Sequence, residues 1–414
     1  MNDRVILHCD MNGFYASVEL LDHPGLAGRP MAVCGAPENR HGIILAKNEL
    51  AKRAGVVTAE TLWSAMKKCP GLVTVRPHHE KYRHYSKLIN KIYERYTDMI
   101  EPFSIDESWL DVSGSLMLFG DGVKIADDIR NTVRSEFGLT LSVGVSYNKI
   151  FAKMGSEHKK PDATTLISRS NYRDILWPKP AAELFFVGKA AAGKLNQIGI
   201  RTIGDLAVAD MKSLTALLGK QGLLIRDYAN GDDQSPVLRS YERQKIKSIG
   251  NGITFKRDLR GESDIRTALT GLSDKVAGRL RKYEMKACGI KVDIRDPDFN
   301  TISRQSQLGS PTDLAEEIMR AARELVKRNW NFRDPVRMLT VTGINLVRGE
   351  TEDQISFFDR DDGSREKTKS IESAIDSIRA KYGGGAIAYG SMIKNDLGLS
   401  LEEYSEDEFE PMDM

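Results

Sequence analysis

Cysteine is scarce in this chain. The four present, Cys9, Cys34, Cys69 and Cys288, are scattered and form no CxxC pair. That spacing argues against structural zinc and against a disulfide framework, and it fits a reducing compartment. Long apolar runs are missing as well: none reaches the roughly 18 residues that a membrane span needs. At the N-terminus Val5, Ile6 and Leu7 run straight into His8, Cys9 and Asp10, not into a signal-peptide core. A cytoplasmic protein with no membrane partner is expected. Net charge is small, +2, but unevenly placed. Residues 395–414 hold eight acids and no base, which leaves residues 1–394 at +10. A basic body with an acidic tail fits a polyanion partner; the plainer reading is that the charge keeps the protein in solution.

The chain is also too long for one domain. Its 414 residues, 41% apolar and 29% charged, suit a globular protein of about three to four domains. The chemistry concentrates around FSIDESWLD (103–111) and the end of VILHCDM. Adjacent Asp106 and Glu107 start one strand-like run, and Asp10 ends another. Neighbouring carboxylates repel unless something neutralises them. Two strand ends that each deliver acid therefore suggest a site for hard divalent cations such as Mg²⁺. Two such ions clamp the attacking and leaving oxygens of a phosphoryl transfer. The competing reading is a pair of solvated turns.

After the first strand, MNGFYASVE turns the chain into a helix. Gly13 permits close backbone approach, and first-turn amides suit phosphate. Residues 24–76 read as a small insertion whose cations Lys47, Lys52 and Arg53 contact phosphate or else line a solvated helix face. A charged amphipathic helix follows over 79–100, with His78, His79 and His84 expected at the surface. A helix over 121–137 leads to a strand over 141–146. The alternation suggests an antiparallel or mixed sheet with helices on one face. Lys149, Lys153, Lys159 and Lys160 crowd the next helix, where they complement the helix dipole or serve a triphosphate. VGK (187–189) and IGI (198–200) frame a helix-hairpin-helix pattern, echoed over 214–231. Its glycine amides bind DNA phosphates without reading sequence, unless it is a plain helical hairpin. Residues 248–348 order as β-α-β-β-α-β, a split βαβ arrangement. Lys256, Arg257, Lys291, Arg295 and Arg304 lie on its strands, and Ser310, Thr312 or Asp313 are candidate caps of its second helix. QISFF (354–358) reads as a docking peptide.

Together DMNGFYASVE, SIDESWLDVS, SVGVSYNKIFAKMGSEHKKPD, the tandem hairpins and QISFF resemble the Y-family, translesion DNA polymerases over about residues 1–358. The resemblance implies an α+β multidomain fold. A ferredoxin-like palm (1–23 and 77–168) is interrupted by small fingers (24–76). An all-helical thumb with helix-hairpin-helix motifs (169–235), a linker (236–247) and a split βαβ little finger (248–348) follow, then a tail (349–414). It implies an error-prone, template-directed DNA polymerase without a proofreading domain, acting as a monomer on primer–template DNA and dNTPs. Two Mg²⁺ ions would serve, with Mn²⁺ as a substitute. Asp10 and Asp106 would bind both metals, Glu107 the catalytic one and the Met11 carbonyl the nucleotide-bound one. The amides of Asn12, Gly13 and Phe14 would cradle phosphate, Tyr15 would be the steric gate, and Lys160, Lys52 and Asn48 would serve the triphosphate. Gly188, Lys189, Gly199, Lys256, Arg257, Arg295 and Arg304 would contact DNA. Gln354, Ile355, Phe357 and Phe358 would bind a β-type sliding clamp. Glu49 and Lys52 stand where many members carry Tyr and Arg. Two other functions share parts of this pattern: a non-catalytic DNA-binding scaffold recruited to the clamp, and a nucleotidyl cyclase.

Overall fold

In the computed structural model the described residues are 3–36, 40, 42–239, 242, 245–349, 362–393 (362–364 by backbone alone) and 395–399. The chain divides into two compact units. The first contains Met1–Gly35 and Ile43–Arg243, and the second Gln244–Glu410.

In the first unit, β1 (Ile6–Met11) is buried throughout its length. A three-stranded sheet follows, in which β2 (Met31–Cys34) pairs antiparallel with β3 (Ile44–Lys47) and parallel with β4 (Val73–Val75). The main sheet adds β5 (Ile100–Pro102), β6 (Glu107–Asp111), β7 (Leu141–Ser146) and β8 (Thr164–Ile167) in the order β5-β6-β1-β7-β8. β1 is antiparallel to both neighbours, whereas β7 and β8 are parallel. Alternation divides β1 between two faces. Leu7, Cys9 and Met11 pack in one cluster with Val18, Ile89, Ile92, Ile125 and Ile129 from three helices. Ile6 packs on the other face with Trp109, Ala152 and Val237.

Helices therefore cover both faces, not one. The Lys149–His158 helix reaches the second face because two glycines let it sit close. A Cβ on Gly144 of β7 would lie 1.8 Å from the Ala152 carbonyl oxygen and 2.4 Å from the Ser156 nitrogen, and one on Gly155 only 3.0 Å from the Gly144 Cα. Backbone cannot yield as a flexible side chain does. Gly144→Ala is therefore expected to lose about 3 kcal/mol or more of stability, toward the upper end of overpacking penalties, measured by chemical denaturation against wild type.

The helical segment of this unit packs Leu195, Ile203, Leu206, Leu214 and Ile225 together. Helices Lys189–Gln197 and Ile203–Val208 flank a tight hairpin, and helices Met211–Leu218 and Lys220–Asn230 meet at Gly219. The stretch expected to begin a linker at 236 starts packed: Val237 is buried, and the Leu238 amide donates to Glu101 at 2.9 Å. Glu101 also accepts from Lys149 Nζ through both oxygens at 2.7 Å.

The second unit is a four-stranded antiparallel sheet. Its strands β9 (Ser248–Leu259), β10 (Met285–Arg295), β11 (Thr301–Thr312) and β12 (Val336–Arg348) lie in the order β11-β10-β12-β9. Each βαβ unit is split by one strand: β12 separates β9 from β10, and β10 separates β11 from β12. Helices Gly261–Lys282 and Ala315–Asn329 bury Leu269, Leu272, Ile318 and Val326 against the sheet. The expected local caps of the second helix give way to a distant one: Glu372 accepts from the Ala315 amide at 2.9 Å. Glu372 comes from the helix Asp362–Tyr382, which also sets Asp376 on Arg281 and Arg379 on Asp274. Met392, Leu397 and Leu399 then enter the same core. The start of the acidic tail is thus packed, since Asp396 pairs with Arg257 at 2.7 Å.

Candidate active site

Asp10 on β1 lies directly opposite Glu107 on β6. Paired positions on antiparallel strands project to the same face, here the face covered by the Lys149–His158 helix. That helix ends with Glu157 close by. Ligand oxygens of Asp10, Glu107 and Glu157 all lie within 4.8 Å of one another. Lys160 bridges two of them, with Nζ 2.6 Å from Asp10 Oδ2 and 2.8 Å from Glu157 Oε1. Lys153 Nζ sits 2.8 Å from Glu107 Oε1 and 5.3 Å from the centre of the Phe103 ring.

Asp106 is held separately from this trio. It immediately precedes β6, so alternation turns it away from Glu107. Its carboxylate accepts from Ser104 Oγ at 2.6 Å, and its main-chain oxygen accepts the Met11 amide at 3.1 Å. Among the described residues, the acids whose ligand atoms gather are Asp10, Glu107 and Glu157, with Asp106 beside Met11 at the strand end. Glu157 is legible in SEHKK only as an acid three residues before Lys160, and the density of lysines there masks it.

The electrostatics fit a cation. Burial pushes the Asp10 carboxyl up to about 8, with Glu157 and Glu107 adding to the rise and Lys160 opposing it. Burial and the neighbouring Glu107 also raise Asp106. Carboxylates held above their ordinary range stay charged at neutral pH only with positive charge nearby. The donors are all hard oxygens, a set that suits Mg²⁺ or Mn²⁺ and not soft metals. The Cys9 thiol packs in the cluster on the opposite face of β1.

Gly13 precedes the Phe14–Asp22 helix with φ +53°, and a Cβ there would lie 3.1 Å from the Lys47 carbonyl oxygen. Both facts require glycine. The first-turn amides of this helix have no intrahelical partner. Asn12 is excluded from that set, because its main-chain N–H donates to the Thr140 carbonyl at 2.9 Å. Phe14 is buried. Tyr15 is half-buried and stacks on Tyr82 at 4.0 Å with 15° between the rings, His79 meeting it edge-on. Burial raises the Tyr15 hydroxyl, with Asp106 contributing. His78 is exposed, as expected, and its Nδ1 lies 3.0 Å from Glu19.

In the insertion, Asn48 caps the Glu49–Arg53 helix by accepting from the Ala51 amide, and it also accepts from Met31 and donates to the Arg29 carbonyl. Its amide is a brace within this sheet and is not retained as a nucleotide contact. Lys52 pairs with Glu49 at 3.3 Å, and Lys47 donates to Thr58.

Of the expected DNA contacts, Gly188, Lys189 and Gly199 are exposed around the helical hairpin, and Gly199 has φ +82° with open space about it. The sheet of the second unit separates its cations. Ile290, Val292 and Ile294 are buried under the helices, so Lys291 and Arg295 alternate to the open face. That face also carries Thr340 and Thr342, in register with Gly252 and Gly250. Lys256 is exposed. Arg304 instead reaches Asn329 on the helical side. Arg257 is held by Asp264 and Asp396. These two arginines are braces within the unit and drop out of the expected DNA-facing set. Residues Gln354, Ile355, Phe357 and Phe358 lie outside the described residues.

The chain is similar to known proteins along most of its length. The model of the impB/mucB/samB family matches residues 9–157, and the model of that family's C-terminal domain matches residues 246–357. The chain is 46% identical over 397 residues to DNA polymerase IV of Acetivibrio thermocellus, covering 96% of this chain and 99% of the relative. It is 40% identical over 396 residues to DNA polymerase IV of Clostridium kluyveri, with 94% and 98% covered. It is 36% identical over 396 residues to DNA polymerase IV 1 of Bacillus subtilis, with 95% and 94% covered. Among solved structures, a Y-family DNA polymerase chimera shares the fold with TM-score 0.74 at 24% identity, covering 83% of this chain and all of the other. The chain belongs to the impB/mucB/samB family, that of the Y-family DNA polymerases.

Proposed function

We propose that the protein is a template-directed, error-prone DNA polymerase that copies damaged template, joining a dNTP to a primer 3′-OH and releasing pyrophosphate. The observation that carries this reading is the carboxylate cluster of buried Asp10, partly buried Glu107 and exposed Glu157, with Lys160 bridging two of its members. Asp10, Asp106, Glu107 and the Met11 carbonyl would hold two Mg²⁺ ions, with Glu157 beside them and Mn²⁺ as a substitute. When bound, such ions stabilise charge on the attacking and leaving oxygens. Lys160 would shift from the carboxylates to the triphosphate, and the first-turn amides of Gly13 and Phe14 would receive its oxygens. Lys52, one turn from the Lys47 strand end, would add charge but no bidentate fork.

Palm, fingers, thumb and little finger would follow the boundaries expected from the sequence, except that the linker would start after Leu238. Gly188, Lys189 and Gly199 would hold duplex backbone, and the open sheet face with Lys256, Lys291 and Arg295 would lie along it. Residues 354–358 would dock on a β-type sliding clamp, with the enzyme a cytoplasmic monomer. Primer extension with one dNTP at a time tests the reading; no extension with Mg²⁺ overturns it.

Tyr15 would exclude the ribose 2′-OH. Its ring is fixed by the Tyr82 stack, so the exclusion is steric and rigid. Tyr15→Ala should therefore raise ribonucleotide incorporation about 10- to 100-fold, the equivalent of relieving a clash of about 1–3 kcal/mol. Competing dNTP and rNTP in single-turnover extension measures it, and unchanged sugar discrimination would show the gate lies elsewhere.

A further inference from the structure

His8 sits in the middle of β1, opposite Trp109 on one side and Gly144 on the other, and is fully buried. Its ring meets Trp109 edge-on at 5.1 Å. One nitrogen is engaged: Nδ1 lies 2.8 Å from Ser156 Oγ. The other, Nε2, has no hydrogen-bond partner among the described residues and is 3.9 Å from Glu107 Oε2. Buried polar atoms without partners are rare and unfavourable. This one is aimed at a carboxylate of the cluster.

Proton count decides what Nε2 presents. Ser156 has one hydroxyl hydrogen and two acceptors within reach, His8 Nδ1 and the Lys153 carbonyl at 2.8 Å. A hydrogen placed on the carbonyl would leave the ring hydrogen on Nδ1. The Nε2 lone pair would then face the Glu107 carboxylate, acceptor against acceptor in a buried site. A hydrogen placed on Nδ1 puts the ring hydrogen on Nε2, pointing at Glu107. The Lys153 carbonyl loses little, because it lies within the helix and has the main-chain ladder. A carboxylate movement of about 1 Å then brings Nε2 and Oε2 to bonding distance.

We infer that His8 is a positioning residue for Glu107: its Nε2–H holds one carboxylate oxygen while Lys153 holds the other, fixing how that carboxylate presents itself to a divalent cation. The Lys149–His158 helix supplies both Ser156, which sets the His8 tautomer, and Lys153. This rests on the proposed function only in taking Glu107 as a cation ligand. Loss of such an outer partner typically lowers metal affinity or activity about 10- to 100-fold.

Three measurements on the full chain test it. ¹⁵N NMR of histidine-labelled protein reports which ring nitrogen carries hydrogen, and Nε2 should be the protonated, pyrrole-type one; a pyridine-type Nε2 overturns the assignment. Mn²⁺ titration followed by EPR, without DNA or nucleotide, should show binding weakened about 10-fold or more in His8→Phe and largely restored in His8→Gln, whose amide N–H reaches the same way. Wild-type affinity in His8→Phe, or equal loss in both variants, overturns it. In primer extension His8→Phe should lower kcat with the dNTP KM unchanged. A wild-type protein that binds Mn²⁺ through this arrangement and yet extends no primer would sink the polymerase reading and leave the role of His8 intact.

Discussion

Asp10→Asn should reduce single-nucleotide extension by about 10³-fold or more. Divalent cations supply several kcal/mol of charge stabilisation in such reactions, and about 1.4 kcal/mol is tenfold in rate. Asparagine keeps the shape of the side chain and its place opposite Glu107 but removes the charge that both Lys160 and a cation use. The same substitution should not unfold the protein. Burial holds the folded Asp10 carboxyl near 8, well above its unfolded value of 3.8. Between those pH values folding takes up a proton, so wild-type stability falls as pH rises through that window. The asparagine side chain takes up no proton, and that component of the slope should vanish. Denaturation midpoints at several pH values in chelator check the sign; a variant less stable than wild type at pH 8 would contradict it. Adding Mn²⁺ should raise the wild-type midpoint and leave the variant nearly unmoved.

The second large effect concerns stability alone. Glu101 and Lys149 have side chains only 10% and 11% exposed, and Lys149 also lies 4.4 Å from the centre of the Trp109 ring. Removing one member of a buried pair strands the other, at about 3–5 kcal/mol. Glu101→Ala should therefore be severely destabilising. It also removes the acceptor of the Leu238 amide, so the segment 233–238 should lose its protection from hydrogen exchange first. The double variant Glu101→Leu, Lys149→Met should recover much of the loss, because no charge then remains buried. Urea denaturation of Glu101→Leu, of Lys149→Met and of the double variant closes the cycle; a double variant as unstable as those two singles summed would show no coupling between the pair and contradict the expectation.

Much of this is legible in the chain. Alternation and apolar runs place β1, β6 and β7 within a residue or so, and the β-α-β-β-α-β order of the second unit follows from period alone. Asp10 and Glu107 can be paired because each lies at the end of a strand-like run. Contacts remote in sequence are not legible. Adjacency groups Asp106 with Glu107, yet adjacent strand residues point to opposite sides, and Ser104 holds the aspartate there. The second face of the main sheet is silent in the sequence because close helix seating depends on Gly144 and Gly155, which carry no side-chain signal. Arg257 and Arg304 look like DNA contacts because charge shows in a sequence while its partner does not. Asp396 lies 139 residues from Arg257. The cap of the Ala315–Asn329 helix likewise comes from Glu372, 57 residues away.

That distant glutamate bears on anyone who would shorten the protein for crystallisation or expression. A chain stopped after β12 would look complete, since every strand among the described residues is present. It would nonetheless strip Arg281 of both Glu372 and Asp376, take Arg379 from buried Asp274, and bare the surface where Met392 rests on Gly271. Truncated versions should aggregate or melt early in their second half.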